Sequence, residues 1–537
     1  MFRRTVVLLV KVLLLAGFAA AQTIDLAQFE KRVTVHKLKN GLTVVICERS
    51  EAPVFSFATI VDAGAVQDPD TATGLAHMME HEAFKGTPTI GTTNWAAEKA
   101  ALDQVEKAYA AYLGEREKRV GRDETRVKRL EEAWMAARKE ADKYVVKNEF
   151  SKILDQNGEE GMNAFTAEDE TVYFYSLPSN RLELWAYMES ERFLHPVMRE
   201  FYTERDVVME ERRMRTDSQP VGRMVEQFIA AAFIAHPYHH LPIGWMSDLQ
   251  RISATQGEAF FHKYYVPSNM VIGVVGDVKP AQVVPLVEKY FGRIPSPPKP
   301  PDATTAEPPQ QSLRQVVLHE QSQPFYLEGY HRPDYRDPDD VVYDVMVDVL
   351  ASGRTSRMYK SLVRDKRIAL AAQAFSGLVG NKYPSAFGFF AVSNPGHTPQ
   401  ELADAIHHEI DRLKTEDLSD DELKSVKTRA KANLIRSLDE NEGLAQNLAT
   451  YQMRFGDWRE LFRQVEKFDK VTREDVKRVA NKVFTENNRT VAILETLQRP
   501  RPAAAPPAPP SGAAPPAPKP ESPPPAQPKP PSQGGQQ

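Results

Sequence analysis

Apolar runs near the start of the chain predict three β-strands. Residues 33–38 and 43–47 flank Asn40 and Gly41. An Asn-Gly pair between two such runs is typical of a tight hairpin, because both residues tolerate positive φ angles. Residues 54–61 form a third apolar run. The chain is therefore predicted to begin with a hairpin followed by a third strand.

Helical periodicity begins at Gly74, and helices then alternate irregularly with strands as far as a last apolar run at residues 270–275. This pattern predicts the α+β class, with antiparallel sheets flanked by helices. It does not by itself say how the sheets are connected.

A charged segment at residues 95–150 has a different texture. Its apolar residues recur at heptad spacing on both sides of a break at residues 121–123, which predicts two helices packed along one seam. The seam positions are Leu102, Val105, Tyr109, Tyr112, Val127, Leu130, Trp134, Ala137, Ala141 and Tyr144. We interpret the segment as an antiparallel helical hairpin that is inserted in the first domain and projects from it. It is either a contact arm for a partner or substrate, or a solvated insertion.

Two proline-rich stretches divide the chain. Residues 294–311 are predicted to link folded units at residues 22–293 and 312–499. In residues 500–537, 16 of the 38 positions are proline, and such a composition buries too little apolar surface to offset the entropy of ordering. This tail is predicted to be disordered, as a plain spacer or as a segment that docks in a partner's groove.

The composition excludes several classes of function. With 42% apolar and 26% charged residues among 537, this is an ordinary globular chain and not a multi-span membrane protein. A net charge of -5 gives no basic footprint for nucleic acid. Cys47 is the only cysteine, so the chain can form neither an intrachain disulfide nor a cysteine-based metal cluster. A metal site would have to use His, Asp or Glu.

Residues 1–21 have the pattern of a signal peptide. Arg3 and Arg4 precede a short apolar run, and Ala19 and Ala21 are the small residues that favour cleavage after position 21. The alternative is an N-terminal membrane anchor, although the run is short for a full span. An exported chain that folds without disulfides fits a bacterial periplasm, so we predict a periplasmic or secreted protein.

The candidate chemistry lies just before the charged segment. His77 and His81 are four residues apart, and Glu80 stands between them. On a helix, positions i and i+4 share one face, so both imidazoles can bind one ion while the carboxylate projects beside them. This His-x-x-Glu-His order is a zinc pattern.

Two histidines do not complete a catalytic zinc site, which uses three protein ligands and one open position. The most acidic helical segment downstream, residues 204–211, offers Glu204 and Glu211. They are seven residues apart and thus on one face of a helix. One could bind the metal while the other hydrogen-bonds a ligand histidine. Their spacing does not choose between them, and an exposed charged helix is the alternative.

These motifs resemble those of the insulinase-like or pitrilysin-like inverted zinc metallopeptidases, especially the group of the mitochondrial processing peptidase and its bacterial relatives. The likeness extends over residues 33–494 except the insertion at 95–150, and residues 74–81 are its most specific part. Further similar segments are residues 40–42, 163–166, 171–173, 204–211 and 264–270. The resemblance implies two homologous α+β domains that enclose the substrate like a clam.

The same resemblance implies a role for each motif residue. His77, His81 and Glu211 would be the zinc ligands. Glu80 would be the general base that activates zinc-bound water, and Glu204 a supporting acid. The expected activity is that of a zinc endopeptidase acting on peptides or unfolded polypeptide segments.

The second half resembles the family's second repeat, in which many members carry an Arg and, seven residues on, a Tyr that hold the substrate backbone. Arg364 is present here, but the Tyr position is Ala371. In paired members of the family, one subunit supplies the zinc chemistry, and the other subunit supplies the Arg and Tyr contacts to the substrate. We therefore expect a dimer in which a non-identical subunit supplies those contacts. Arg364 is otherwise a solvated helix charge.

Two further interpretations concern the substrate and the class of protein. The resemblance implies that a peptide adds as a strand to the sheet edge near residues 162–166, where Asn163 could hold its backbone; the alternative is an ordinary turn asparagine. The cluster at residues 236–240 is not interpreted as a second metal site, because Pro237 opposes the necessary helix. The rival to a peptidase is a non-catalytic scaffold or binding subunit, and a zinc hydrolase for non-peptide substrates is a more distant reading.

Overall fold

The structure of the chain is a computed structural model that describes residues 26–497. The predicted signal peptide at residues 1–21 and the predicted tail at 500–537 lie outside these residues. Within the described range, no helix combines the length and the apolar character that crossing a membrane requires.

The strands of the described chain form two sheets. The first sheet has six strands in the order β1-β2-β6-β3-β5-β4. Their bounds are β1 Val33–Lys37, β2 Thr43–Glu48, β3 Val54–Val61, β4 Glu160–Thr166, β5 Thr171–Pro178 and β6 Met270–Gly276. The predicted hairpin is confirmed, since β1 and β2 pair antiparallel with Val33 opposite Cys47. We call the part of the chain around this sheet the first domain.

The second sheet repeats the arrangement of the first with five strands, in the order β7-β11-β8-β10-β9. Their bounds are β7 Arg314–Glu320, β8 Phe325–Arg332, β9 Ala369–Phe375, β10 Ser385–Ser393 and β11 Arg489–Thr496. The surrounding chain is the second domain. The expectation of two similar α+β domains is confirmed. The sheets are mixed, however, because β2 pairs parallel with β6 and β7 pairs parallel with β11.

Helices flank both sheets. Their bounds are α1 Leu26–Glu30, α2 Leu75–Glu82, α3 Trp95–Arg116, α4 Glu124–Ala141, α5 Glu149–Asp155, α6 Leu182–Leu194, α7 Phe201–Arg212, α8 Pro220–Ala232, α9 Met246–Leu249, α10 Ala254–Tyr264, α11 Pro280–Tyr290, α12 Asp340–Ala351, α13 Pro399–Thr415, α14 Asp420–Ser437, α15 Asn441–Phe455, α16 Glu460–Lys470 and α17 Arg473–Val483. Residues 295–313 contain neither helix nor strand. The exact domain boundaries remain a prediction.

The inserted hairpin consists of α3 and α4, and its seam also packs on the first domain. The aromatic rings of Tyr109 and Trp134 lie 5.1 Å apart across the seam. Both rings also contact Tyr202 on α7, at centroid distances of 4.4 and 5.1 Å. The hairpin is therefore anchored along the helix that carries Glu204 and Glu211, and does not simply project into solvent.

Each domain contributes a helix to the sheet of the other. Leu444 and Leu448 of α15 pack with Val45 and Ala58 of the first sheet in one buried cluster. A Cβ atom at Gly273, in the central strand β6, would overlap the carbonyl oxygen of Ala445, so glycine allows this close approach.

The reciprocal helix is α8. Its Met224 and Phe228 pack with Leu327 and Ala492 of the second sheet. Burying an apolar side chain of this size contributes about 1.5–3 kcal/mol, so the two exchanged helices bind the domains together.

Candidate active site

Helix α2 carries the three residues of the His-x-x-Glu-His motif. The buried carboxylate of Asp68 accepts hydrogen bonds from the backbone N–H groups of Gly74 (2.7 Å) and Ala76 (2.8 Å). The first N–H groups of a helix have no partner within it, and Asp68 satisfies two of them. Asp68 thereby fixes where the motif helix begins.

The side of α2 opposite the motif anchors the helix in the core. The fully buried residues on this side are Leu75, Ala76, Met78 and Met79. The side chains of His77 and His81 keep 12% and 22% of their surface exposed. Their rings lie 5.0 Å apart and are nearly perpendicular. The spacing in the sequence thus places both imidazoles on one accessible face.

Helix α7 brings the acidic residues to this face. Its other side is held by buried arginines, of which Arg212 donates to Glu226 (2.7 Å) and to the carbonyl oxygen of Gly244 (2.5 Å). Glu204 and Glu211 are left on the side toward α2, with 14% and 15% of their side chains exposed.

His77, His81 and Glu211 form the candidate metal centre. The Nε2 atoms of both histidines lie 3.8 Å from Oε2 of Glu211, and one donor atom from each residue lies within 4.8 Å of the others. Ligands around a tetrahedral zinc at about 2.0–2.1 Å are roughly 3.4 Å apart. The donor set therefore fits zinc in kind and in spacing. No other such group occurs in the part of the chain that the structure describes.

Glu204 lies outside this donor set, against the other ring nitrogen of His81. Nδ1 of His81 donates to Glu204 Oε2 (3.2 Å), and Lys85 Nζ donates to Glu204 Oε1 (2.5 Å). The geometry places Glu211 among the donors and Glu204 behind one of them. A carboxylate in that second position orients a ligand histidine and makes it more basic.

Glu80 lies beside the donors without joining them. Its Oε2 is 3.9 Å from Nε2 of His77 and accepts a hydrogen bond from Thr166 Oγ1 (2.7 Å) on β4. Burial raises the pKa of Glu80, against the opposing effects of the Thr166 hydrogen bond and of His81. A carboxylate with a raised pKa next to a metal centre is suited to general-base chemistry.

The pKa values of the other site residues follow from burial and charge. Burial, together with the nearby His81 and Arg215, lowers the pKa of His77 to about 3. Burial also acts to lower the pKa of His81, but the hydrogen bond to Glu204 and the nearby carboxylates outweigh it and raise that pKa. Burial acts to raise the pKa of Glu204, but His81 and Lys85 outweigh this effect and lower that pKa. His77 is thus neutral, as a metal ligand must be.

Three residues of the site were not among the candidates from the sequence. Lys85 follows His81 by four positions and Arg215 follows Glu211 by four, so helical spacing could have indicated both. Arg215 donates to Glu211 Oε1 (2.6 Å). Thr166 lies 86 residues from Glu80, and no local pattern connects them.

The remaining candidates lie apart from the donors. Asn163 is exposed on β4, the edge strand that ends at Thr166, and its side chain accepts the N–H of Ala164 (2.9 Å). Arg364 is exposed in the second domain and pairs with its neighbour Asp365 (2.6 Å). Ala371 lies on β9, the edge strand of the second sheet. The structure does not bring these side chains into contact with the metal centre.

The histidines at residues 236–240 serve other contacts. Nδ1 of the buried His236 accepts the backbone N–H of Tyr238 (3.2 Å), and its ring packs on Tyr383. His239 and His240 bond backbone carbonyl oxygens through their Nδ1 atoms.

Comparisons with known proteins agree with this fold. The family profile described as Insulinase (Peptidase family M16) matches residues 43–111, and that described as Peptidase M16 inactive domain matches residues 251–430. The first match includes the motif on α2, whereas the second includes none of the three donor residues. The word inactive thus describes a segment outside the candidate metal centre.

Similar proteins cover nearly the whole chain. Zinc protease PqqE of Helicobacter pylori is 29% identical over 467 residues, which are 85% of this chain and 91% of that protein. A probable mitochondrial-processing peptidase subunit beta of Arabidopsis thaliana is 24% identical, and the match covers 87% of this chain and 79% of that protein. The crystal structure of a protease from Helicobacter pylori matches with a TM-score of 0.72 at 27% identity, over 86% of this chain and 99% of that one.

Fold and donor set together define a protein of the two-domain, zinc-protease-like class. The matching profiles and the zinc protease relatives support the insulinase/pitrilysin-like family for this chain.

Proposed function

We propose that the protein is a zinc-dependent endopeptidase that hydrolyses peptides or unfolded polypeptide segments. The observation that carries this proposal is the convergence of His77, His81 and Glu211, with Glu80 beside them. Zinc bound there would polarise the scissile carbonyl group and lower the pKa of a bound water to about 7.

Glu80 is the group of this chain that moves protons. Its carboxylate accepts a proton from the attacking water and delivers it to the leaving amine. The hydrogen bond from Thr166 orients the carboxylate toward the donor atoms. Glu204 holds His81 so that its Nε2 faces Glu211.

The edge strand β4 is the proposed substrate site. It is the terminal strand of the first sheet in the described chain, and it ends at Thr166, next to Glu80. A peptide that adds to this edge as a further strand would pass beside the catalytic carboxylate. Asn163, exposed on the same strand, is the residue that we propose to bind the peptide backbone.

A partner subunit and an exported location complete the proposal. Ala371 lacks the hydroxyl group that the family's Tyr supplies, so we propose a dimer in which a non-identical subunit makes this contact. Arg364 of this chain is a further candidate for binding the substrate backbone. The Arabidopsis relative is named as a subunit, which supports assembly in the family. The signal-peptide pattern at residues 1–21 supports a periplasmic or secreted site.

Metal removal tests the peptidase proposal. The purified chain should cleave an unstructured peptide, lose this activity on dialysis against a chelator, and regain it with one equivalent of zinc. Cleavage that persists in metal-free protein would contradict the proposal. If the zinc-loaded chain does not cleave even with its co-purified partner, the protein is a scaffold or binding subunit.

A further inference from the structure

A loop of the second domain binds the turn that precedes β5 in the first domain. The loop, residues 380–383, connects β9 and β10, and the turn, residues 167–170, connects β4 and β5. Asp169 of the turn is buried, with 6% of its surface exposed. Its Oδ2 accepts the backbone N–H groups of Asn381 (2.8 Å) and Lys382 (2.9 Å).

Tyr238 completes this contact. Its hydroxyl group donates to Oδ1 of Asp169 (2.6 Å) and accepts the backbone N–H of Tyr383 (3.2 Å). A Cβ atom at Gly380 would overlap both Asp169 Oδ2 and the Tyr238 hydroxyl oxygen. The loop is thus shaped to approach this carboxylate closely.

The turn leads directly to the catalytic side of the first domain. Thr166, the last residue of β4, pairs with Thr171, the first of β5, so the turn closes this end of the hairpin. The carbonyl oxygen of Ala167 accepts the N–H of Ala65 (3.1 Å), and that of Glu168 accepts the N–H of Val66 (2.9 Å). Thr166 then donates to Glu80.

We propose that Asp169 is a positioning residue: by binding the 380–383 loop, it fixes the turn and Thr166, and so holds the Glu80 carboxylate in place. The inference rests on the proposed function of Glu80. It assigns the second domain a role in the chemistry through a hydrogen-bonded route, although that domain supplies none of the donor residues.

Other interdomain ion pairs lie beside this contact. Lys382 Nζ pairs with Asp62 (2.6 Å), and Arg454 pairs with Glu170 (3.2 Å). Both pairs hold the domains together, but of the carboxylates Asp62, Asp169 and Glu170 it is Asp169 that accepts hydrogen bonds from the backbone of the loop. A purely structural role for Asp169 would therefore lower stability without a specific loss of turnover.

The first test compares Asp169→Ala with Asp348→Ala in the full chain. Asp348 is a carboxylate within the second domain that accepts a hydrogen bond from Arg429 (2.9 Å) on α14, away from the turn. We expect Asp169→Ala to keep its zinc and lower kcat by about 10- to 100-fold, because small misplacements of a catalytic group have such costs. Its KM should change by less than about threefold. Asp348→Ala should lower Tm and leave kcat unchanged. Equal losses of kcat in both variants would overturn the proposal.

The second test asks whether Asp169 acts through Thr166. If it does, the double variant Asp169→Ala/Thr166→Val should have nearly the same kcat as Thr166→Val alone, while the decreases in Tm add. Losses of kcat that multiply in the double variant would show two independent effects, and would overturn the proposal that Asp169 acts on Glu80 through Thr166.

The third test does not depend on activity. Hydrogen exchange of the peptide covering residues 163–172 should be at least about tenfold faster in Asp169→Ala than in wild type or Asp348→Ala, because the turn loses its hydrogen bonds to the 380–383 loop. Unchanged exchange would overturn the proposal whether or not the chain cleaves peptides. Faster exchange in a chain that cleaves nothing would support the role of Asp169 in fixing the turn, and would contradict the proposed endopeptidase function instead.

Discussion

Glu204 and Glu211 differ in which nitrogen of His81 each one faces. Glu211 lies near Nε2, the same atom that His77 directs to the centre, whereas Glu204 bonds Nδ1. The two carboxylates have nearly equal exposure, so burial does not separate them. From their positions relative to the imidazole, we therefore propose Glu211 as a ligand and Glu204 as its support.

This difference predicts an order of zinc affinities. Glu204→Ala should weaken zinc binding by about 10- to 100-fold, as is usual for a residue that orients a ligand. Glu211→Ala removes a donor and should weaken it more. Glu210→Ala is the matched control, because Glu210 is exposed on the same helix and pairs with Arg213. Competition with a zinc chelator measures all three, and a stronger effect at Glu204 than at Glu211 would reverse the assignment.

The hydrogen bond from Thr166 predicts a pH effect. It lowers the pKa of Glu80 against the effect of burial, so Thr166→Val should raise that pKa further. Because a general base must be deprotonated, the acidic limb of the kcat/KM profile should move to higher pH in the variant. An acidic limb that stays in place, or that moves to lower pH, would contradict the role of Thr166.

At the scale of elements, helix α14 shows how a terminus is held in the second domain. Ser419 and Glu422 cap its first turn reciprocally, and Arg357 donates to Glu422 Oε1 (2.8 Å). This bond, opposed by burial, lowers the pKa of Glu422 to about 2.

Glu422→Gln should therefore destabilise the chain at neutral pH. The folded-state pKa lies below the unfolded one, so the contribution of Glu422 is complete above pH of about 4.5 and is lost as pH falls toward 2. We expect a loss of about 1–2 kcal/mol at pH 7 that shrinks near pH 3. Urea unfolding measures it, with the exposed Asp421→Asn as control. An equal loss at both pH values would contradict the ion pair as its cause.

The elements that could be predicted from sequence are those with a local cause. The Asn40-Gly41 pair specified the first hairpin, and the spacing of His77 and His81 indicated a helix with both rings on one face. Contacts between distant segments had no such signal. The pairing of β2 with β6 joins residues more than 200 positions apart, and it makes the sheet mixed where local patterns favoured an antiparallel one.

The same limit applied to the site. The choice between Glu204 and Glu211 depends on how α7 lies against α2, and the contact of Thr166 with Glu80 depends on strand pairing. The spacing of residues along the chain predicts neither arrangement. The heptads of the inserted hairpin predicted its seam, but not that Tyr109 and Trp134 also pack on Tyr202.

At the scale of the whole molecule, the exchanged helices α8 and α15 join the two domains. The first sheet depends on Leu444 and Leu448 to cover one face. Residues 22–293 expressed alone would expose this apolar face and should aggregate. Co-expression with residues 312–499 should restore a soluble complex, and Leu448→Asp in the second fragment should prevent this. A first fragment that is soluble and folded alone would contradict the exchange.

We propose above all that zinc held by His77, His81 and Glu211 works with Glu80 as the base. Cleavage of an unstructured peptide by wild type and by Glu80→Gln, with zinc content determined on both, tests it most directly. We expect one zinc in each protein and a kcat lower by about 10²- to 10⁴-fold in Glu80→Gln. Equal cleavage by the two zinc-loaded proteins would contradict it.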